Sequence, residues 1–413
     1  MQDRQEQHIG RRVRVARIAA GLSQGELSGL VGRSAHWIED IEAGRLGLDR
    51  YSMICALADV CDVDVVWLLG QPYCLNSTGA AAAHSFVPAL RAVLRRSGLI
   101  LSGHPGLVPS CPPADMERMR EKATAVNRAR QGAALPAAAE ALPALLEELN
   151  TTLLAHSSGR ERAHALQLLV DGARNARQTL NVLGYPDLAW VAAEVAAGAA
   201  TELDDPICKA AVAWDRCGAM LHQGSMRETE AIVTAALTDL QPAVAEGGAT
   251  ALSLHGALIL RNAVAAARGG QKEEAWAHLR DALEVAERLP EGFNDLEHQT
   301  VFGRANVAVH ATEAGVEVDE PDKGLGFVPD VNVAATPSRE RVTHYRIDEA
   351  RSLWRLGRQA AAVTTLRQAA VHAPHYVYAN PMARALVGDM VRIGIPSRAA
   401  ALSGLVKGMT LAG

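Results

Sequence analysis

Residues 22–44, LSQGELSGLVGRSAHWIEDIEAG, constrain the chain more than any other stretch. Ser23 followed three residues later by Glu26 is a capping box, in which each side chain bonds the other's backbone N–H and starts a helix. Leu27, Leu30 and Val31 lay an apolar stripe at helical spacing. Gly32 supplies the backbone freedom of a sharp turn. Ser34 caps a second helix, whose inward face is Trp37, Ile38 and Ile41, and Gly44 ends it. Two short helices joined by a tight turn follow from these local signals.

The flanks extend this hairpin into a small bundle. Residues 5–20 read as an opening helix, with Ile9, Val13, Ala16 and Ile18 inward and Arg11, Arg12, Arg14 and Arg17 outward. Residues 50–61 and 63–69 read as two more helices, with Trp67, Leu68 and Leu69 plugging the base. The pattern L-S-Q-x-E-L…G-x-S…I-x-x-I-E-x-G resembles the helix-turn-helix of the Xre family of DNA-binding proteins, over roughly residues 7–70. That resemblance implies a five-helix domain, residues 1–72, whose helix after the turn enters the major groove of double-stranded DNA. Carried onto this sequence, it implies Ser34, Ala35, His36 and Asp40 at base edges. Gln24 would meet a phosphate or the first base, and Ser23 and Arg45 would hold the DNA backbone. Trp37 is expected in the core, with its ring edge near a phosphate as the alternative.

Charge complicates this reading. The chain carries a net charge of −5, and residues 1–70 hold eight Arg against ten Asp and Glu. The basic footprint of a DNA binder therefore survives only locally, in Arg11 and its neighbours on the first helix and in Arg33 and Arg45 beside the second. Glu39, Asp40 and Glu42 make an acidic helix where phosphates must approach. Asp40 can accept from a cytosine amine, and Glu42 is expected to cap or to pair with Arg45.

The remainder is read as all-α. Of 413 residues, 49% are hydrophobic, only 4% are aromatic, and 35 are Gly. Small side chains at that density suit closely packed helices, and β-branched runs are scarce. Residues 73–113 are broken by Pro and Gly and read as a linker with one helix near 86–97. From 114 to 413 the chain reads as helix after helix. The six Cys form no CxxC pair and no zinc spacing, so reduced, buried thiols are expected, with a redox pair of Cys208 and Cys217 as the alternative. A cytoplasmic protein is expected, without signal peptide or membrane span. With no G-x-S-x-G, no H-E-x-x-H and no phosphate loop, neither catalytic residues, metal nor cofactor are expected.

Helices after 160 recur. Gly184, Gly224, Gly270, Gly315 and Gly357 are spaced by 40, 46, 45 and 42 residues, and small or apolar pairs such as Ala196-Ala197 and Ala282-Leu283 follow by twelve and thirteen. The run from Gly270 through Glu274, Ala275, Ala282 and Leu283 resembles the tetratricopeptide pattern G-x-x-x-E-A…A-L. The resemblance implies helical pairs stacked into a curved solenoid, whose first helices line the concave side. In the fourth pair, two Pro and several acids predict a short or broken second helix. Nine residues before the glycines stand Asn175, Asp215, Arg261, Asn306 and Asp348, and two before them stand His222, Arg268 and Arg355 among others. Seven residues apart, these positions share a helical face. With Asn262 and His310 they form the expected ligand-binding set, read as a groove rather than a merely solvated face.

An Xre domain on such repeats is similar to the peptide-pheromone receptors of the Rap/PlcR type, and to Xre–tetratricopeptide regulators of high-GC bacteria. FGRANVAVH (302–310) and PSRERVTHYRIDEARS (337–352) resemble the second group. The resemblance implies a homodimer on a pseudo-palindromic operator, modulated by a small-molecule or peptide effector and plausibly serving specialised metabolism or development. The competing reading is an interaction scaffold that binds a partner protein and contacts DNA weakly or not at all.

Overall fold

The computed structural model describes residues 9–72, 78–109, 112–113, 115–329, 332–395 and 398–409. Cys74 and Cys111 lie outside the described residues. Every regular element among those residues is helical.

The first five helices form one bundle: α1 (Ile9–Ala19), α2 (Gln24–Leu30), α3 (Ala35–Glu42), α4 (Tyr51–Cys61) and α5 (Val65–Leu69). The caps are those the sequence specifies. Ser23 Oγ accepts from the Glu26 N–H at 3.1 Å, and Glu26 accepts from the Ser23 N–H at 2.7 Å. Ser34 Oγ accepts from the Trp37 N–H at 3.1 Å. Val13, Leu27, Ile38, Ile41, Ile54, Leu57 and Leu68 are buried together. Three residues expected inside are not: Ile18, Leu30 and Trp67 are 58%, 63% and 43% exposed. Ile18 and Trp67 each stand two residues past a buried neighbour, which turns them roughly 200° away from the core face. Leu30 is the last residue of its helix.

The segment read as a linker with one helix holds two, α6 (Thr78–Ser85) and α7 (Val87–Leu101). Val87, Leu90, Val93 and Leu94 are buried against Leu142, Leu145 and Leu146, so this segment belongs to the helical body. Six pairs follow: α8 (Met116–Gln131) with α9 (Leu135–Ala155), α10 (Arg160–Leu183) with α11 (Pro186–Leu203), and α12 (Pro206–Leu221) with α13 (Met226–Ala245). Then come α14 (Ala249–Arg268) with α15 (Lys272–Glu287), α16 (Arg304–Glu317) with α17 (Pro321–Gly326), and α18 (Arg339–Arg355) with α19 (Gln359–His372). Short helices α20 (Pro374–Ala379), α21 (Pro381–Ile393) and α22 (Ala399–Gly408) end the chain. This paired packing is solenoid-like.

Gly184, Gly224, Gly270 and Gly357 sit in left-handed turns, with φ of 84°, 84°, 78° and 74°. Gly315 does not. It lies inside α16, where a Cβ would stand 2.9 Å from the Gly324 Cα of α17. Two glycines thus let α16 and the six-residue α17 touch backbone to backbone, and the repeat register slips there.

The inner helices α8, α10, α12, α14, α16 and α18 contact one another in succession, and α18 returns to α8. The pairs therefore close into a ring instead of leaving an open concave groove. Inner helices α10 and α14 meet the loop 288–303: Arg174 donates to the His298 carbonyl at 2.6 Å, Gln178 to Gln299 at 2.8 Å, and Ser253 bonds Thr300 at 2.8 Å. Several C-terminal ends of the inner helices meet the first bundle. The apolar cores lie between the inner and outer layers, where alanines such as Ala189, Ala192, Ala193 and Ala196 are fully buried. Helix α14 has the length and apolarity of a membrane span, and 72% of its apolar window is buried inside this body.

Two glycine substitutions separate packing from propensity. Gly256 of α14 lies under the buried Phe302 ring, which a Cβ would overlap. Alanine gains about 1 kcal/mol of helix propensity, but overpacking costs about 1–3 kcal/mol, so Gly256→Ala is expected to lower Tm. Gly98 of α7 faces open space, and Gly98→Ala is expected to raise Tm, by about 1 kcal/mol of stability. Differential scanning calorimetry of the two variants reads both signs.

Candidate nucleic-acid interface and the enclosed cavity

The helix after the turn, α3, is built to present its first turn. Ile38 and Ile41 anchor it in the core, and Arg33, Ser34, Ala35 and His36 are exposed, His36 with 76% of its side chain. Arg33 lies over the Trp37 ring, 5.7 Å from its centroid, and Trp37 itself is half-buried.

The acids of α3 are taken up by arginines. Arg45 donates to Asp40 at 2.6 Å and to Glu39 at 2.7 Å. Glu42 pairs with Arg17 at 2.5 and 3.0 Å rather than with Arg45, and also accepts from Gln24 at 2.9 Å. Arg12 turns inward as well, donating to the Leu68 and Leu69 carbonyls at the end of α5, at 2.6 and 2.9 Å. Of the residues expected on DNA, Arg11, Ser23, Arg33, Ser34, Ala35 and His36 thus lie on the exposed surface, while Gln24, Asp40 and Arg45 are engaged within the bundle. Arg14 shares the exposed face of α1 with Arg11.

A second constellation joins the bundle to the ring. The N-cap residue of α4, Arg50, makes no side-chain cap. Glu317, the buried last residue of α16, supplies the cap instead. Its carboxylate accepts from the Tyr51 N–H at 3.2 Å, the Ser52 N–H at 3.1 Å and the Ser52 hydroxyl at 2.9 Å. Arg351 holds the same carboxylate at 3.0 Å and also donates to the Asp49 carbonyl. Burial works against charge on Glu317, but Arg351 and Arg268 outweigh it and hold its carboxyl below the usual range. Around this clasp, Arg355 grips Asp49 at 2.6 Å, Arg50 meets Asp319 at 2.6 Å, and Tyr51 donates to the His222 carbonyl at 2.7 Å.

Tyr51 also forms part of the wall of a cavity of about 160 Å³ enclosed by the ring. Its lining is polar and crowded with charge. Arg177 and Arg174 share the fully buried Asp215, Arg268 pairs with Glu313 at 2.8 Å, and Arg351 with Asp348 at 2.6 Å. Glu340 lies 3.0 Å from His344, 3.7 Å from Arg341 and 3.9 Å from Arg130. Burial lifts the Asp348 carboxyl to about 6 and, with the nearby arginines, depresses His222 to about 3.

The expected ligand set divides. His222, Arg261, Arg268, His310 and Asp348 line this cavity. Asp215 lies buried beneath it. Asn175 accepts from Arg130 at 2.8 Å and lines a second cavity of about 760 Å³, on the side of the loop 288–303. Asn306 is spent on the Thr300 carbonyl at 3.3 Å, and Arg355 belongs to the clasp. Asn262 borders neither cavity. Trp214 is at the cavity, whereas Trp276 stacks on Phe327 elsewhere. Sequence reasoning missed Tyr51, Arg177, Glu317, Glu340, Arg341 and Arg351. For all but Tyr51, the signal is an arginine or carboxylate on an inner helix of the ring, off the glycine register.

Cys208 and Cys217 are buried, and burial pushes their thiols up to about 11 and about 12, so they remain protonated and unreactive. Among the described residues, no group of His, Cys, Asp and Glu has the arrangement to hold a metal ion.

Residues 8–66 match the family described as a helix-turn-helix domain. An Xre-type helix-turn-helix domain therefore occupies this part of the chain, which supports a DNA-binding regulatory role in general. No curated protein and no solved structure matches the chain.

Two outcomes test this geometry. Glu317→Ala leaves two helix N–H groups and Arg351 without their acceptor, so a loss of about 3 kcal/mol is expected. Faster hydrogen exchange at Tyr51 and Ser52 is its local signature, and Glu317→Gln should be milder. His222, neutral in the fold and with a folded pKa of about 3, takes up a proton on unfolding. Its contribution to stability is therefore present at neutral pH and is lost as pH falls from about 6.5 towards 3. Chemical denaturation at pH 7 and pH 5 should show a smaller decline for His222→Asn than for the parent chain.

Proposed function

We propose that the protein is a sequence-specific, dimeric DNA-binding transcriptional regulator whose helical ring binds an effector and so controls operator binding. Residues 1–72 read DNA, residues 114–413 form the sensing and dimerising body with tetratricopeptide-like pairs, and residues 73–113 join the two. The observation that carries this reading is the open first turn of α3. Its base-reading candidates Ser34, Ala35 and His36 stay exposed, with Arg33 beside them, while the bundle is docked. The acids that argued for a scaffold are neutralised by Arg45 and Arg17, which weakens the competing reading.

One such turn offers few base contacts, so useful specificity needs two copies on a pseudo-palindrome, with half-sites about 34 Å apart or a multiple of that. The effector enters through the cavity. Because Tyr51 of the DNA-binding bundle is one of its walls, occupancy bears directly on how that bundle is held.

A fluorescence-anisotropy titration of the full chain against its own gene's upstream region, with salt varied, tests the reading. Binding is expected near the nanomolar range. Log K should fall with log salt by about 0.9 for each phosphate neutralised. Arg33→Ala combined with His36→Ala should weaken binding by about a hundredfold. Weak, sequence-indifferent binding that ignores those changes would instead identify a scaffold.

A further inference from the structure

Three guanidinium groups crowd one buried indole. Arg261, Arg177 and Arg341 stand 4.1, 5.4 and 5.5 Å from the centre of the Trp214 ring. An aromatic face attracts a cation, but three like charges around a single ring repel one another in a poorly solvated site. Of the three, only Arg177 has a carboxylate of its own, Asp215. Arg261 makes no hydrogen bond or ion pair with any described residue, and its buried Nε is without an acceptor. Arg341, also buried, reaches only its neighbour Glu340, at 3.7 Å and without a hydrogen bond, and its Nε is likewise unmet.

No acid is spare to serve them. Glu313 holds Arg268, Asp348 holds Arg351, Asp215 holds Arg174 and Arg177, and Glu340 is shared with His344 and Arg130. Burial, and then Arg341, lower Arg261 to about 10, so it remains charged at neutral pH. Two arginines facing one cavity, Arg341 buried and Arg261 part-buried, each with a buried Nε unmet, lack one component, and that component is an anion.

The cavity also bounds what surrounds the anion. Its volume of about 160 Å³ is roughly ten times the space that one water needs. That admits a small organic anion. Along α14 the wall runs from Arg261 past Val264 to Arg268, about 10 Å at 1.5 Å per residue. Arg268 lies over the Tyr51 ring, 4.4 Å from its centre. An anion at the Trp214 end thus has Val264 next along the wall, with Arg268 and Tyr51 beyond it.

We propose that this cavity is a binding site for a small organic acid, its carboxylate or phosphate group seated between Arg261 and Arg341 beside Trp214, and that occupancy stabilises the docked position of the DNA-binding bundle. The site stands on the cavity itself. Its consequence for DNA rests on the regulator reading above.

The test uses the full chain without DNA. Thermal unfolding and isothermal calorimetry are run with sodium phosphate, sodium benzoate and sodium succinate, against sodium chloride at matched ionic strength. A saturable rise in Tm of about 4 °C is expected with phosphate or with a carboxylate but not with chloride, and which series responds identifies the head group. Arg261→Gln and Arg341→Gln should each weaken binding about tenfold or more. Each should also raise Tm in the absence of anion, because one of three mutually repelling guanidinium groups is gone. Hydrogen exchange at Ser52 should slow on binding. The absence of a saturable rise with any of the three salts overturns the proposal, as does an equal rise in both variants or unchanged exchange at Ser52. Should Arg261→Gln not fold, Arg341→Gln carries the same comparison. Since binding is read without DNA and operator affinity without anion, failure of the site leaves the regulator reading to its own titration.

Discussion

The carboxylate of Glu317 is the point at which bundle and ring become one molecule. It stands at the C-terminal end of α16, where the helix dipole disfavours a negative charge, and it is buried. Left alone there it would be unstable. Two guanidinium groups, Arg351 and Arg268, and the N-terminal amides of α4 make the position favourable. The dependence is mutual, since α4 has no side-chain cap of its own. Each helix end thus satisfies what the other leaves unmet, and the geometry of the first bundle is tied to the charge distribution within the ring.

That distribution is tolerable because the ring separates stability from polarity. The apolar surface is buried between the inner and outer helical layers, in clusters centred on residues such as Leu146, Leu169 and Ala192 in one half and Leu258, Leu279 and Val307 in the other. The inward faces of the inner helices therefore need not form a hydrophobic core. They carry arginines, histidines and carboxylates, which a single-core domain excludes unless they are paired. The result is a helical ring with a charged interior, and the closeness permitted by alanine and by the Gly315–Gly324 contact keeps the ring small.

The first bundle was legible because its signals are local. Capping boxes, turn glycines and apolar spacing all act within a few residues, and the structure repeats them at Ser23, Ser34 and Gly32. The pairing of the later helices was legible for the same reason at Gly184, Gly224, Gly270 and Gly357. What failed was register and closure. Gly315 reads as a turn, yet it serves a helix–helix contact, so Glu317, two residues beyond it, fell outside the pattern. Ring closure brings Arg130 to Glu340, and Asp49 to Arg351 and Arg355, across hundreds of residues, and no short-range rule encodes such pairs. The acidic look of α3 misled for a related reason. Arg17 lies 25 residues from Glu42 in sequence, so that neutralisation is tertiary, whereas Arg45 reaches Asp40 and Glu39 from five and six residues away.

The connection between cavity and recognition helix is short and mechanical. Tyr51 opens α4, and one turn further on Ile54 and Leu57 pack in the same core as Ile38 and Ile41 of α3. A change in how Tyr51 is held is therefore delivered to α3 through close-packed side chains that have little room to absorb it. A ligand shifts such an equilibrium only by the difference in its affinity for the two arrangements. A cavity walled on one side by Tyr51 supplies that difference, because withdrawal of the bundle removes part of the binding surface. The same reasoning runs in reverse. Under the proposed function, DNA that favours a withdrawn bundle would lower affinity for a ligand in the cavity by the same factor. The charges at the bundle end of the cavity, Arg268 beside Tyr51 and Arg351 on Glu317, are the contacts on which the proposed coupling depends.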